Sequence, residues 1–360
     1  MKNIFRFVIL FSFFLFSCGS DENSDNNSGE KEGTGTLDSF AKGADISWCT
    51  EMESNGMKFY TSAGVQTECT ALMKSLGMNA IRLRVWVNPA EGWCNKEDML
   101  VKALRAKNLG MRIMIDFHYS DSWADPGQQI KPETWKDLDL KHLKQAITDH
   151  TEEVLNLLKK NNITPEWVQV GNEVTSGLLW GTNASLSGAT WDATKDGIVY
   201  KPNEANFASF LETGYQAVKA VFPDAKVIIH LHNGQKTETT TWICDILKKY
   251  AVDYDLLGLS LYPSASTWAS EVTACMKNIS NVYKTYGKKT MICEVGMDVS
   301  QPVVCKAFLA SLMTQCKANG YCEGVFYWEP ESYDWTGYKL GAFDQNGKPT
   351  SALDAFASVK

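Results

Sequence analysis

Two short apolar runs in this chain each close on a glutamate. Thr290-Met291-Ile292-Cys293-Glu294-Val295-Gly296 reads as a buried strand halted by glycine. Trp167-Val168-Gln169-Val170-Gly171-Asn172-Glu173 repeats the arrangement upstream. Burying a carboxylate without a partner is costly, so such an acid is normally paired or functional. Two of them at the ends of two buried strands point to glycosidic bond cleavage by paired carboxylates. One would donate a proton from a raised pKa while the other stays ionised and attacks the anomeric carbon. With retention of configuration the two groups stand roughly 5–5.5 Å apart. Two strand-end acids in unrelated ion pairs would be the alternative.

Other polar residues gather at the ends of similar runs. They are Asp45 and Trp48, then Arg82, Arg84 and Trp86, then Asp116 and His118 with Tyr119, Ser120, Asp121, Ser122, Trp123 and Asp125 following. Asn172 precedes Glu173, and His230, His232, Tyr262, Trp328 and Glu329 close later runs. Strand alternation puts Arg82, Arg84 and Trp86 on one face. Arg82, with Arg84 nearby, is placed to hold Glu294 ionised. Asn172 can hydrogen-bond a sugar hydroxyl beside the reacting carbon, and Trp86 and Trp328 offer apolar faces to sugar rings. A zinc or iron hydrolase using His118, His230 and His232 is the competing chemistry. It leaves both glutamates and the arginines without a role, and His230 can equally be a hydrogen-bonded residue deep in the core.

The elements that must position these residues are strand-like runs alternating with amphipathic segments. The runs are 43–48, 80–87, 112–119, 167–173, 226–232, 256–263, 290–296 and 324–330. Helical spacing recurs between them, as in Leu143, Ile147, Val154 and Leu158, or Phe207, Phe210, Leu211 and Val218. Eight strands alternating with helices predict a single α/β domain, a (β/α)₈ TIM barrel, whose active site lies at the C-terminal strand ends. An open doubly wound sheet is the runner-up. There is no glycine-rich phosphate loop, repeat or internal linker.

The chain has 360 residues, 44% of them hydrophobic, and twelve tryptophans, enough for one large core and an aromatic cleft. A formal net charge of −7 argues against nucleic acid or an anionic membrane surface as a partner. Residues 1–18 read as a signal sequence, with Lys2 and Arg6 before the apolar stretch Phe7 to Phe16, too short to span a membrane stably. The ending Leu15-Phe16-Ser17-Cys18-Gly19 resembles a bacterial lipoprotein signal, which makes Cys18 the lipidated N-terminus. Residues 19–36 read as a flexible tether of Asp, Glu, Asn, Ser and Gly, and 37–360 as the barrel. Ser20-Asp21-Glu22-Asn23 resembles surface-export signals of outer-membrane lipoproteins. The expected location is the cell envelope, on the outer membrane, surface-exposed or periplasmic. Nine cysteines remain besides Cys18, an odd number, so some pairing with at least one free thiol is expected. The loops of Cys49 and Cys94 are placed to meet, and Cys316 and Cys322 flank a helix end. Cys293, beside Glu294, is expected to point away from the site and pack as a small apolar residue. No spacing matches a zinc cluster.

At these residues the chain resembles glycoside hydrolase family 53, the endo-β-1,4-galactanases. The matching segments include Gly43-Ala44-Asp45-Ile46-Ser47, Arg82-Leu83-Arg84-Val85-Trp86-Val87-Asn88-Pro89, Asp116-Phe117-His118-Tyr119-Ser120-Asp121 and Trp123-Ala124-Asp125-Pro126-Gly127-Gln128-Gln129. Gly171-Asn172-Glu173-Val174, Gly177-Leu178-Leu179-Trp180, Asp255-Leu256-Leu257-Gly258-Leu259-Ser260 and Val325-Phe326-Tyr327-Trp328-Glu329-Pro330 complete the series. The resemblance implies Glu173 as acid/base, Glu294 as nucleophile, and retaining hydrolysis of β-1,4-galactan, the side chain of type I pectic arabinogalactan. Asp45, Arg82, Arg84, Trp86, His118, Trp123, Asp125, Asn172, His230, Tyr262 and Trp328 are the expected substrate-binding residues. The family commonly carries Ser-Tyr-Tyr-Pro-Phe-Trp after strand six, where this chain has Ser260-Leu261-Tyr262-Pro263-Ser264-Ala265 and lacks an aromatic. Bacterial members can hold calcium in a long loop after strand eight. Here Glu329 to Gly341 is short, so no metal or other cofactor is expected. The expected partners are the galactan polysaccharide and, through a lipid anchor only, a membrane, with the protein a monomer. A related retaining endo-glycanase on mannan, xylan or glucan, and a non-catalytic glycan-binding lipoprotein, are the alternatives.

Overall fold

The structure, a computed structural model, describes residues 40–181, 191–333 and 335–360. The expected signal sequence, Cys18 and the tether lie outside the described residues. Eight parallel strands close a barrel: β1 (Ala41–Asp45), β2 (Ala80–Val85), β3 (Arg112–Phe117), β4 (Trp167–Val170), β5 (Lys226–Leu231), β6 (Leu256–Leu261), β7 (Lys289–Val295) and β8 (Cys322–Trp328). Each strand pairs with its neighbours in sequence, and β8 returns to β1 with Ala41 opposite Gly324 and Asp45 opposite Trp328. The helices are α1 (Cys49–Ser54), α2 (Cys69–Ser75), α3 (Lys96–Asn108), α4 (Leu140–Lys160), α5 (Glu204–Val221), α6 (Thr237–Lys249), α7 (Trp268–Tyr286), α8 (Pro302–Asn319) and α9 (Asp354–Ser358). Among the described residues no helix is long and apolar enough to cross a membrane.

The strands form where alternating residues serve two different interiors. On β2, Ile81, Leu83 and Val85 join the large apolar cluster under the helices, while Arg82 and Arg84 are buried on the other face. Inside the barrel a second apolar cluster takes Ala41, Ala80, Met114, Trp167, Ile228, Leu256, Met291, Cys293 and Phe326, at least one residue from every strand. Small residues on β1 and β2 leave room for the rings of Trp167 and Phe326, which meet edge to face with centroids 6.0 Å apart. A Cβ on Gly43 would fall 2.3 Å from the Phe326 ring, so only glycine fits there. This apolar plug fills the lower barrel and leaves the upper barrel to the polar residues.

The sequence runs overshoot the strands at their C-terminal ends. Tyr119, Glu173 and Glu329 follow their strands with φ of 51°, 45° and 48°, left-handed values uncommon outside glycine. The chain bends there: Glu173 turns into the cavity of the mouth and Glu329 onto Arg84, whereas Tyr119 turns under the helices, its ring on Phe117 and its hydroxyl on Thr151.

The expectation for Cys293 is half corrected. It packs as a small apolar residue, but inside the barrel and beneath the site. The register of β7 slips against both neighbours, with Leu259 opposite Ile292 and Ser260 opposite Glu294 on one side, and Ile292 opposite Val325 and Val295 opposite Tyr327 on the other. That extra residue is a bulge, and it breaks the alternation on which the outward reading depended. The expected pairing of thiols is also corrected: all nine described cysteines are free and buried. The loops of Cys49 and Cys94 do meet, yet Cys94 Sγ faces the carbonyl of Ser47 at 3.6 Å and Arg84 Nη2 at 3.4 Å.

Candidate active site

Arg82 organises the floor of the barrel mouth. Its guanidinium is fully buried and contacts three carboxylates: Asp45 at 2.8 Å, Asp116 at 2.8 Å and Glu294 at 3.0 Å. Its remaining N–H groups donate to Gln169 Oε1 at 3.0 Å and Asn172 Oδ1 at 2.9 Å. Arg82 lies close enough to hold the Asp116 carboxyl down at about 2 despite complete burial. One cation thus ties β1, β2, β3, β4 and β7 into a single layer over the apolar plug. Planar, multidentate pairing of this kind needs arginine.

Glu173 and Glu294 line one cavity of about 250 Å³ with His118, Trp123, Asp125, Asn172, Tyr262, Trp328 and Tyr338. They sit in different electrostatic surroundings. Burial raises the Glu294 carboxyl, but Arg82 opposes this and the Tyr262 hydroxyl donates to Oε2 at 2.7 Å. Among the described residues Glu173 has no cation in contact; burial and the neighbouring Glu294 push it up to about 8. Of the pair, Glu173 keeps the proton.

The hydrogen bonds behind Glu173 agree. Asn172 is fixed in orientation, because its oxygen accepts from Arg82 while Nδ2 donates to the Ala124 carbonyl at 2.8 Å. His230 Nδ1, 2.9 Å from Asn172 Oδ1, must therefore carry a hydrogen. Burial and Arg82 hold the pKa of His230 well below its usual range, so the ring is neutral and Nε2 is an acceptor. Ser260 Oγ lies 2.8 Å from that nitrogen and 2.6 Å from Glu173 Oε1. With the serine proton directed to His230, the serine oxygen is left to accept the proton of Glu173. Each contact of the Asn172–His230–Ser260–Glu173 chain then holds one hydrogen when Glu173 is protonated. The second hydrogen of Asn172 Nδ2 remains for a ligand in the cavity.

The structure divides the expected substrate-binding residues. His118, Trp123, Asp125, Asn172, Tyr262 and Trp328 border the cavity. Asp45, Arg82, Arg84 and His230 do not; they are buried beneath it, and their action passes through Glu294, Asn172 and the aromatic wall. Arg84 does not approach Glu294. It pairs with Glu329 at 3.0 Å and lies against the rings of Trp123 and Trp86, at 4.3 and 4.9 Å from their centroids. Trp86 stands outside the cavity in an adjoining groove, its indole N–H donating to His118 Nδ1 at 3.1 Å. His118 gives its other nitrogen to Asp116 at 3.0 Å, so it borders the cavity as a wall with both nitrogens engaged.

Sequence reasoning missed Tyr338, Leu340 and Ala124 in the lining. Tyr338 packs edge-on to Trp328 with centroids 4.8 Å apart, and nothing in its local sequence marks it. Ser260 and Gln169 were also missed, although both fall on the inward alternation of their strands. Among the described residues no group of three or more His, Cys, Asp or Glu side chains is placed to hold a metal ion.

The sequence profile of glycosyl hydrolase family 53 matches residues 41–304. An arabinogalactan endo-β-1,4-galactanase of Thermothelomyces thermophilus is 29% identical, over 88% of this chain and 99% of its own length. Among solved structures, the Ignisphaera aggregans GH53 catalytic domain superposes with a TM-score of 0.78 at 27% identity, covering 91% of this chain and 98% of that one. A structure from a study of two fungal β-1,4-galactanases gives a TM-score of 0.76 at 28% identity, covering 89% and 99%.

Proposed function

The chain belongs to glycosyl hydrolase family 53, and from that premise we infer that it cleaves internal β-1,4-galactosidic bonds in galactan, the side chains of type I arabinogalactan in pectin, with retention of configuration. The observation that carries the chemistry is the unequal pair on one cavity, Glu294 against Arg82 and Glu173 without a cation. Glu294 is the nucleophile and Glu173 the acid/base. In the first step a Glu294 oxygen bonds to the anomeric carbon as the glycosidic bond breaks, and the departing oxygen takes the Glu173 proton. In the second, ionised Glu173 takes a proton from water, whose oxygen displaces Glu294 and restores the starting state. Asn172 meets a hydroxyl beside the reacting carbon, and Trp328 and Trp123 give apolar faces to the sugar.

The same reading covers the rest of the chain. Cys18 carries the lipid, residues 19–36 tether the barrel, and the enzyme works at the cell envelope, on the outer membrane, as a monomer without metal or organic cofactor. Activity is tested on potato galactan, mannan, xylan and carboxymethylcellulose, with product configuration followed by NMR. Turnover of galactan with retained configuration is expected. Preference for another glycan would overturn the substrate, and inversion would overturn the two-step mechanism.

A further inference from the structure

A second groove, of about 380 Å³, opens beside the catalytic cavity and shares Trp123 with it. Its walls come from the loops after β1, β2, β3 and β8, and include Trp86, Trp93, Pro89, Glu51 and Glu91. Three observations make it more than a surface crease. Trp93 is half-exposed and makes no hydrogen bond or ring contact among the described residues, which is an unusual use of the largest side chain. Glu51 and Glu91 place carboxylates there with no ion pair or hydrogen bond among the described residues, so their lone pairs are open to a donor. The wall itself is rigid: Trp123 meets Trp86 edge-on at 5.1 Å and Trp48 at 5.7 Å, with the Arg84 guanidinium against both Trp123 and Trp86.

The position fixes which part of a chain would lie there. Glu173 protonates the leaving side, so the leaving sugars lie towards β4 and its partner Ser260 on β6. The groove meets the cavity at Trp123, with walls from the loops after β1, β2, β3 and β8 and none after β4 or β6. The two sides are furnished differently. After β6 the chain offers Tyr262 and then exposed Ser264 and half-buried Ala265, and of the catalytic cavity's lining only Tyr262 is an aromatic from that loop, whereas Trp48, Trp86, Trp93 and Trp123 all border the groove at the other end. A galactosyl unit with an axial 4-hydroxyl carries three C–H groups on one face, which suits an indole, and its hydroxyls suit carboxylate acceptors.

Resting on the galactanase reading, we propose that this groove is a separate glycone-binding region. It takes galactosyl units beyond the first on the non-reducing side of the cleaved bond, Trp93 stacking on a sugar face and Glu51 and Glu91 accepting from its hydroxyls.

The test uses a ladder of aryl β-1,4-galacto-oligosaccharides of increasing length, with release of the aryl group as the signal, so every added sugar lies on the glycone side. Trp93→Ala should lose kcat/KM least on the shortest substrate and about five- to tenfold on the longest, through KM. Trp93→Tyr should recover most of that loss. Glu51→Gln should lose about two- to threefold on the same long substrates. A loss equal at all lengths would make Trp93 a packing residue and overturn the proposal, as would no loss at any length. A wild-type enzyme that leaves galactan intact but cleaves another glycan would remove the galactan reading instead, and a ladder built from that glycan then decides the groove.

Discussion

Truncating either glutamate should separate the two steps. Glu294→Ala removes the attacking oxygen, so turnover should fall by several orders of magnitude on every substrate. Azide should then restore it with inverted product. Glu173→Ala should spare substrates with a good leaving group in the first step, and azide should give product of retained configuration. NMR of the azido products decides the assignment, and swapped outcomes would reverse it. The pH profile adds a second check. Glu173 must be protonated, so kcat/KM should fall as pH rises through about 8. Glu294 must be ionised, so kcat/KM should also fall as pH drops through its own pKa. Tyr262 donates to Glu294 and lowers that pKa; Tyr262→Phe should move the acidic limb upward and leave the basic limb in place. An unmoved acidic limb would mean that the Tyr262 hydroxyl does not act on the nucleophile. Both glutamates, Asn172 and the proximity of Arg82 to Glu294 were legible because few residue types suit a strand end buried among apolar neighbours. The difference between bordering the cavity and lying beneath it was not legible. Asp45, Arg82, Arg84 and His230 share the inward alternation with the lining residues, and only their height in the barrel separates them.

At the level of elements, the interior of the barrel is a two-storey structure, and the lower storey holds the upper in place. Gly43→Ala would drive a methyl group into the Phe326 ring, where the ideal Cβ lies 2.3 Å away. Overpacking of this kind should cost about 1–3 kcal/mol, read from urea unfolding. The double variant Gly43→Ala with Phe326→Leu should recover part of the loss, since the ring is the obstacle. Additive losses would show that the strain comes from the β1 backbone. All eight strands were legible from apolar runs, because a barrel strand is covered on both faces and can stay apolar throughout. The ends were not, since Tyr119, Glu173 and Glu329 near the ends of three runs belong to loops in bent conformations. The β7 bulge was invisible as well. Nothing in Thr290 to Gly296 marks an extra residue, and only pairing to β6 and β8 reveals it.

For the molecule as a whole, the nine buried thiols set a test that a disulfide-stabilised protein would fail. Thiolates, not thiols, react, and burial pushes Cys244 and Cys305 up to about 12 and raises Cys275 and Cys293 further. Cys322 differs. Burial acts upward on it too and is the largest single influence, but hydrogen bonding with Cys316, the Gly324 and Ile292 backbone and Thr290 together lowers its pKa, and it borders a surface groove at the foot of the barrel beside Lys317 and Lys289. The measurement uses the full chain carrying Cys18→Ala, which on the lipoprotein reading is also soluble in cells. If that variant still fractionates with membranes, the anchor lies elsewhere. Native Cys18→Ala protein treated with a maleimide should label first and slowly at Cys322, as located by mass spectrometry, and at the other eight only when urea unfolds the barrel. Dithiothreitol should leave Tm unchanged, because no bond between described cysteines contributes to stability. A reductant-dependent Tm would reveal pairing, and labelling of several thiols in the native state would mean that the helical layer opens locally far more often than its burial implies.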